Sequence, residues 1–246
     1  MRGFASWHTM TGVLAQMQFA RLRRHWRPYM VVSAVMPAGI VLLLHLTSPA
    51  MPVSERAEVV PGAILLAQAI SGIVMLSQFM AWLKTSRALD HYRVLPISLG
   101  VLILILSTVY GLFSWPGVLI IACEGRYLDQ LPIHFSVAFV LALCGNGFTL
   151  GAIGIIIGLL APDEGLAGLF GNLVMMAVLF SGIAPLPTHP AWIHALWWML
   201  PSTAGLILVK ALSFDLAGQH LLAWTALALY GFLASLLAKY LMARPS

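Results

Sequence analysis

The stretch KTSRALDHYRVLPIS, residues 84–98, is a short polar interruption between two long apolar runs. It contains five ionisable side chains, namely Lys84, Arg87, Asp90, His91 and Arg93. Because ionisable groups are costly in hydrocarbon, we expect this stretch to lie in water at one face of a membrane. It is either a solvated connection that only fixes topology, or a short docking helix through which a cytoplasmic partner acts on the flanking spans.

The composition of the whole chain predicts an all-α, polytopic membrane protein. Of its 246 residues, 61% are apolar and only 9% are charged, whereas a soluble domain carries about 25% charged residues. No polar segment is long enough to form a separate soluble domain. The net charge of +5 comes from basic clusters beside the apolar runs. That placement favours contact with anionic lipid headgroups and argues against nucleic acid as a partner.

Residues 1–28 are predicted to form an amphipathic helix that lies in the headgroup layer. Apolar side chains recur at steps of three and four from Trp7 to Trp26, and arginines crowd the other side of the helix. Residues 29–246 then form one transmembrane domain of six spans. The predicted spans are residues 29–45, 61–83, 97–123, 134–160, 165–184 and 219–238, with Pro61 opening the second and a break at Trp115–Pro116 in the third.

Residues 185–218 are predicted to form two short re-entrant helices on the external side, with a turn at Pro201. With six spans and a cytoplasmic N-terminus, ten of the 13 Lys and Arg residues are cytoplasmic and three are external, as the positive-inside rule requires. A seventh span through this region is the alternative. It would place Lys239 and Arg244 outside and weaken that asymmetry.

Polar side chains within the spans are few. Gln68, Ser71 and Gln78 recur along one face of the second span, and Asn172 lies within the fifth. They are either groups that hydrogen-bond between helices, at about 0.6 kcal/mol each, or the lining of a passage for substrate. The glycines of the fourth span, from Gly145 to Gly158, predict a smooth face for close helix packing.

No catalytic or metal-ligating residues are predicted. The sequence has no glycine-rich phosphate-binding loop, no His-Glu-x-x-His and no Gly-x-Ser-x-Gly. His189 and His194 are five residues apart, which is a poor spacing for one helix face. If ATP drives this protein, the ATP and its Mg²⁺ must bind to a separate subunit.

Three stretches together resemble the membrane subunit of type 2 ABC transporters, the family of bacterial drug, lipid and polysaccharide exporters. LAQMQFARLRRHWRPYM (residues 14–30) is similar to the family's N-terminal connecting helix, and ALDHYRVLPIS (88–98) resembles its cytoplasmic coupling loop. FSGIAPLPTHPAWIHALWWMLPSTAGLILVKAL (180–212) resembles the fifth span and external re-entrant helices. One departure is that many members carry an acidic residue at the cytoplasmic end of the second span, where this chain has Lys84. Asp90 is the candidate substitute.

The resemblance implies a permease in a bacterial inner membrane that pairs with a second permease copy, identical or different, and with an ATP-binding-cassette ATPase. It implies that Lys84, Arg87, Asp90, His91 and Arg93 couple the chain to that ATPase. The few polar groups in the spans favour export of a hydrophobic or amphipathic small molecule, drug or lipid. The alternatives are a polysaccharide exporter and a membrane-embedded enzyme that acts on lipid.

Overall fold

The computed structural model describes residues 7–94, 98–183, 198, 200–214 and 220–244, and these residues form an all-α protein, as predicted. A π-helical segment, Ile70–Met75, joins the second helix to the third. The helices are α1 (Trp7–Thr47), α2 (Val53–Ala69), α3 (Leu76–Thr85), α4 (Ala88–Val94), α5 (Leu99–Phe113), α6 (Trp115–Tyr127), α7 (Val137–Leu160), α8 (Glu164–Ile183), α9 (Pro201–Ser213) and α10 (His220–Ala243).

Four helical stretches among the described residues are long and apolar enough to cross a membrane. They are Val53–Thr85, Leu99–Tyr127, Val137–Leu160 and Leu221–Ala243. Two shorter apolar stretches, Val31–Thr47 and Glu164–Phe180, coincide with the first and fifth predicted spans. At 1.5 Å per residue each is roughly 26 Å long, near the lower limit for a hydrocarbon core of ~30 Å. The count of six spans therefore stays a prediction.

Two boundaries differ from the sequence predictions. The helix of the first span does not begin at Tyr29, because α1 is continuous from Trp7 through Pro28 to Thr47. The helix of the second span begins at Val53, and Pro61 lies inside it. Proline is favoured at the first turn of a helix and also tolerated inside membrane helices, where neighbouring groups satisfy the freed carbonyl. The sequence rule therefore could not tell which of these roles Pro61 has.

Helix α7 lies at the centre of the bundle, and its glycines allow this. A Cβ atom on Gly154 would lie 2.1 Å from the carbonyl oxygen of Gly72, and one on Gly158 would lie 2.3 Å from that of Ser77. Any side chain at these positions would force α7 away from the π-helical segment and α3. The predicted packing role of the fourth-span glycines is confirmed.

The third span breaks where predicted. Helix α5 ends at Phe113 and α6 begins at Trp115, with the Ser114 hydroxyl bonded to the carbonyl of Gly111. In the region predicted to be external, α9 begins at Pro201, the predicted turn, and its 13 residues extend about 20 Å. That length is too short for α9 alone to cross the membrane. The first predicted re-entrant helix, including His189 and His194, lies outside the described residues.

Candidate functional site

The predicted coupling segment, residues 84–98, hereafter the coupling segment, begins with a sharp turn and a short helix. Arg87 adopts a φ of 56° between α3 and α4, a left-handed conformation that is uncommon for residues other than glycine. Leu89 on α4 is buried in a cluster with Leu14, Leu83 and Met242. Helix α4 is thus packed against α1, α3 and the end of α10 through its apolar side.

Lys84 does not project into solvent. Its Nζ donates hydrogen bonds to the carbonyl oxygens of Leu159 (2.8 Å) and Ala161 (2.7 Å). These carbonyls belong to the C-terminal end of α7, where the last turn has no intrahelical donors and the helix dipole is negative. Lys84 therefore caps α7 and fixes the C-terminal end of α3 to it.

Arg93 makes an equivalent contact with the last helix. Its Nε donates to the carbonyl oxygen of Met242 (3.0 Å) and its Nη2 to that of Arg244 (2.6 Å). Its Nη1 donates to Asp90 Oδ1 at 2.8 Å. Arg93 thus holds α4 against the C-terminal end of α10, and Asp90 orients the guanidinium.

The predicted coupling residues accordingly fall into two groups. Lys84 and Arg93 are partly buried and bind carbonyls at the ends of transmembrane helices, whereas Arg87, Asp90 and His91 are exposed. Asp90, the candidate substitute for the family's acidic residue, pairs with Arg93. Of the five predicted coupling residues, only Arg87, Asp90 and His91 have exposed side chains at this end of the bundle.

The predicted substrate-path residues do not share one surface. Gln68 is buried, where its Nε2 donates to the carbonyl of Leu143 (2.8 Å) and its Oε1 accepts from Asn146 Nδ2 (2.7 Å). Ser71 is also buried and donates to carbonyls of its own helix, those of Ala67 and Gln68. Gln68 makes the interhelical hydrogen bonds that the sequence left as an alternative. Gln68 and Ser71 are therefore not exposed on any surface of the single chain that a substrate could contact.

Gln78 and Asn172 are exposed on neighbouring helices. The amide nitrogen of Gln78 lies 2.5 Å from the position that a Cβ atom on Gly168 would occupy. The Gln78 side chain therefore contacts α8 at that glycine. Asn172 is four residues further along α8, one turn from the crossing point. A role for Gln78 and Asn172 in transport stays a prediction. Both side chains are exposed, so they are accessible to another molecule that binds this side of the bundle.

At the end of the bundle opposite the coupling segment, carboxylates hold the helices together. Asp129, 5% exposed, accepts from Arg56 Nη1 at 3.2 Å and lies 2.9 Å from His45 Nδ1. Arg56 also donates to the carbonyl of Pro49, and Lys210 on α9 pairs with Glu58 on α2. Among the described residues, no group of three or more His, Cys, Asp or Glu could hold a metal ion.

Sequence reasoning missed Asn146 and the partners of Asp129. Asn146 lies among the fourth-span glycines, and it is the one asparagine between Val137 and Leu160. A strongly polar residue in an apolar span is a signal for an interhelical bond, and Gln68 was the natural partner to test. Asp129, His45 and Arg56 are up to 84 residues apart in sequence, so no local pattern connects them.

The fold and the contacts of residues 84–94 define a helical membrane protein whose polar loop is tied to the ends of several long helices. The sequence model of the ABC-2 type transporter family matches residues 9–214. The chain belongs to this family, and it is therefore the permease subunit of an ABC transporter rather than an ATPase. No curated protein matches the sequence.

Proposed function

We propose that this permease exports a hydrophobic or amphipathic molecule, driven by an ATPase subunit that docks on residues 84–98. The observation that supports docking is the division within this segment. Arg87, Asp90 and His91 are exposed, while Lys84 and Arg93 tie the segment to the ends of α7 and α10. A surface that projects into water yet is rigidly connected to the spans can transmit a push from a partner.

The cytoplasmic location of the segment and a bacterial inner membrane as its site are part of this proposal. A second permease copy completes it, because one such bundle offers no symmetric surface to a pair of ATPases, and a twofold pair is the commonest solution. Gln78 and Asn172 would then face the space between the copies and contact the cargo. ATP and Mg²⁺ would bind to the ATPase alone.

The test of docking is copurification of the chain with an ATP-hydrolysing subunit from native membranes. In the paired variant Arg87→Ala with His91→Ala, we expect the ATPase to be lost from the purified complex, while the chain remains in the membrane. The matched control is Arg126→Ala, which removes an exposed arginine outside the segment. Normal copurification and normal transport in the paired variant would show that the segment is only a topological anchor.

The test of the transport path uses Gln78→Leu and Asn172→Leu. Both residues are exposed, so we expect little change in folding stability, within about 0.5 kcal/mol, but a change in the rate or selectivity of transport. Gln68→Leu is the internal control, since it removes the partner of the buried Asn146 amide and should destabilise the protein by about 1–3 kcal/mol. If Gln78→Leu and Asn172→Leu transport every tested cargo as before, the path lies elsewhere.

A further inference from the structure

A groove of about 420 Å³ is open on the surface between α7 and α10. Gly145 and Phe148 line it from α7, and Trp224, Leu227 and Phe232 line it from α10. The exposed Ala228 lines the groove on the α10 side, where its small side chain leaves the groove open. The groove lies away from the coupling segment and away from Gln78 and Asn172.

The lining offers little to a polar ligand. Its two hydroxyl groups are already engaged, because Thr149 donates to the carbonyl of Gly145 (2.9 Å) and Ser235 to that of Phe232 (2.8 Å). The remaining lining residues are glycine, alanine, leucine and aromatic residues, and none carries a formal charge. The walls therefore favour a hydrocarbon occupant with aromatic and aliphatic contacts.

The length of the groove along α10 matches the hydrocarbon thickness of one leaflet of a bilayer. It extends along α10 from Trp224 to Ser235, which is roughly 16 Å at 1.5 Å per residue. The hydrocarbon of one leaflet is about 15 Å deep, half of a core of ~30 Å. Trp224 lies one turn from the start of α10. Tryptophan is favoured near the ends of membrane helices, at the level of the lipid headgroups.

The position of the groove on two long apolar helices indicates which kind of molecule occupies it. Helices α7 and α10 are both long and apolar enough to span the membrane, and only 22% of the apolar window of α10 is buried inside the chain. A groove on the exposed side of such helices opens onto lipid. From these observations we infer that the groove is a binding site for one acyl chain of a bilayer phospholipid, with its headgroup end near Trp224.

This site does not depend on the docking or cargo proposals. The acyl chain exchanges one apolar environment for another, so its binding comes from shape and van der Waals contact and not from the hydrophobic effect. Its preference over ordinary lipid contact should thus be modest. We expect about fivefold enrichment, equivalent to ~1 kcal/mol.

The experiment uses the full chain in phosphatidylglycerol nanodiscs that contain a small fraction of phospholipid with a photoactivatable diazirine midway along one acyl chain. Labelled peptides are mapped by mass spectrometry after illumination. We expect roughly fivefold more label on groove residues such as Phe148 and Phe232 than on Leu229, a strongly exposed residue of α10 outside the groove. Ala228→Phe should fill the groove from its open side and remove most of this excess.

Leu229→Phe is the matched control, since it adds the same ring one position away and should leave the groove label unchanged. Equal label on the groove and on Leu229, or full label in Ala228→Phe, would overturn the proposal in favour of ordinary lipid contact. A second copy of the chain is the other occupant to test. If Ala228→Cys forms disulfide-linked dimers readily and the groove takes no label, a protein helix and not lipid covers it.

Discussion

The two ends of the helical bundle are held together by different chemistry. At the coupling end, Lys84 and Arg93 bind backbone carbonyls at the C-terminal ends of α7 and α10. At the opposite end, Arg56 and Lys210 bind the carboxylates Asp129 and Glu58. Positively charged side chains therefore bind carbonyls at helix ends at one end of the bundle and bind acidic side chains at the other.

The difference follows from where the helices end. Two of the longest helices finish at the coupling end, and each leaves unpaired carbonyls and the negative end of a helix dipole there. Lys84 donates its hydrogen bonds to two such carbonyls, whereas Arg93 adds an ion pair with Asp90 to its bonds with carbonyls. This contrast accounts for a lysine at the position where the resemblance to type 2 ABC permeases implies an acidic residue.

The largest expected effect tests the carboxylate end. Asp129→Asn leaves Arg56 and His45 facing a neutral group in a partly buried site, and breaking such a pair costs about 3 kcal/mol or more. We expect a clear fall in the melting temperature of the purified protein in detergent. Glu55→Gln is the control, because it makes the same charge change at an exposed position in α2. Equal melting of the two variants would mean that Asp129 does not hold this end together.

An intermediate effect is expected at Lys84. Lys84→Met keeps the apolar stem and removes the ammonium group, so the carbonyls of Leu159 and Ala161 lose their donor, at about 1.5–3 kcal/mol for hydrogen bonds to a charged group. Lys84→Arg, which retains a cationic donor, should recover part of this loss. Chemical denaturation measures both. A Lys84→Glu variant as stable as the original chain would contradict the capping role, because a carboxylate would repel those carbonyls.

The smallest expected effect is at Arg93, whose side chain is only 22% exposed but whose carbonyl partners lie in the last turn of α10, where helices fray. Arg93→Ala should cost about 1.5 kcal/mol, the low end for hydrogen bonds to a charged group, and release the last turn of α10. Hydrogen exchange should then accelerate at residues 241–244 and in α4. Arg87→Ala, in the exposed group, should leave both rates unchanged. Equal exchange in both variants would remove the distinction between anchoring and docking residues.

Local patterns predicted the features that depend on one segment at a time. The membrane class, the break beside Trp115, the start of a helix at Pro201 and the packing glycines of α7 all follow from composition, proline position or residue size. Gln68 and Gln78, which the sequence places on one face, differ in exposure for a local reason that the sequence does not display. The π-helical segment Ile70–Met75 lies between Gln68 and Gln78, and its wider turn rotates the second amide by roughly one residue, ~100°, relative to the first.

The sequence by itself determined that the chain lies in a membrane, where its polar interruption falls and which family it resembles. Tertiary structure alone decided that Lys84 caps α7, that Gln68 meets Asn146, and that Arg93 reaches the carbonyl of Met242, 149 residues away. Periodicity assigns a residue to a face of its own helix but does not say which neighbour covers that face. That choice depends on how all the helices pack at once, through contacts that are distant in sequence.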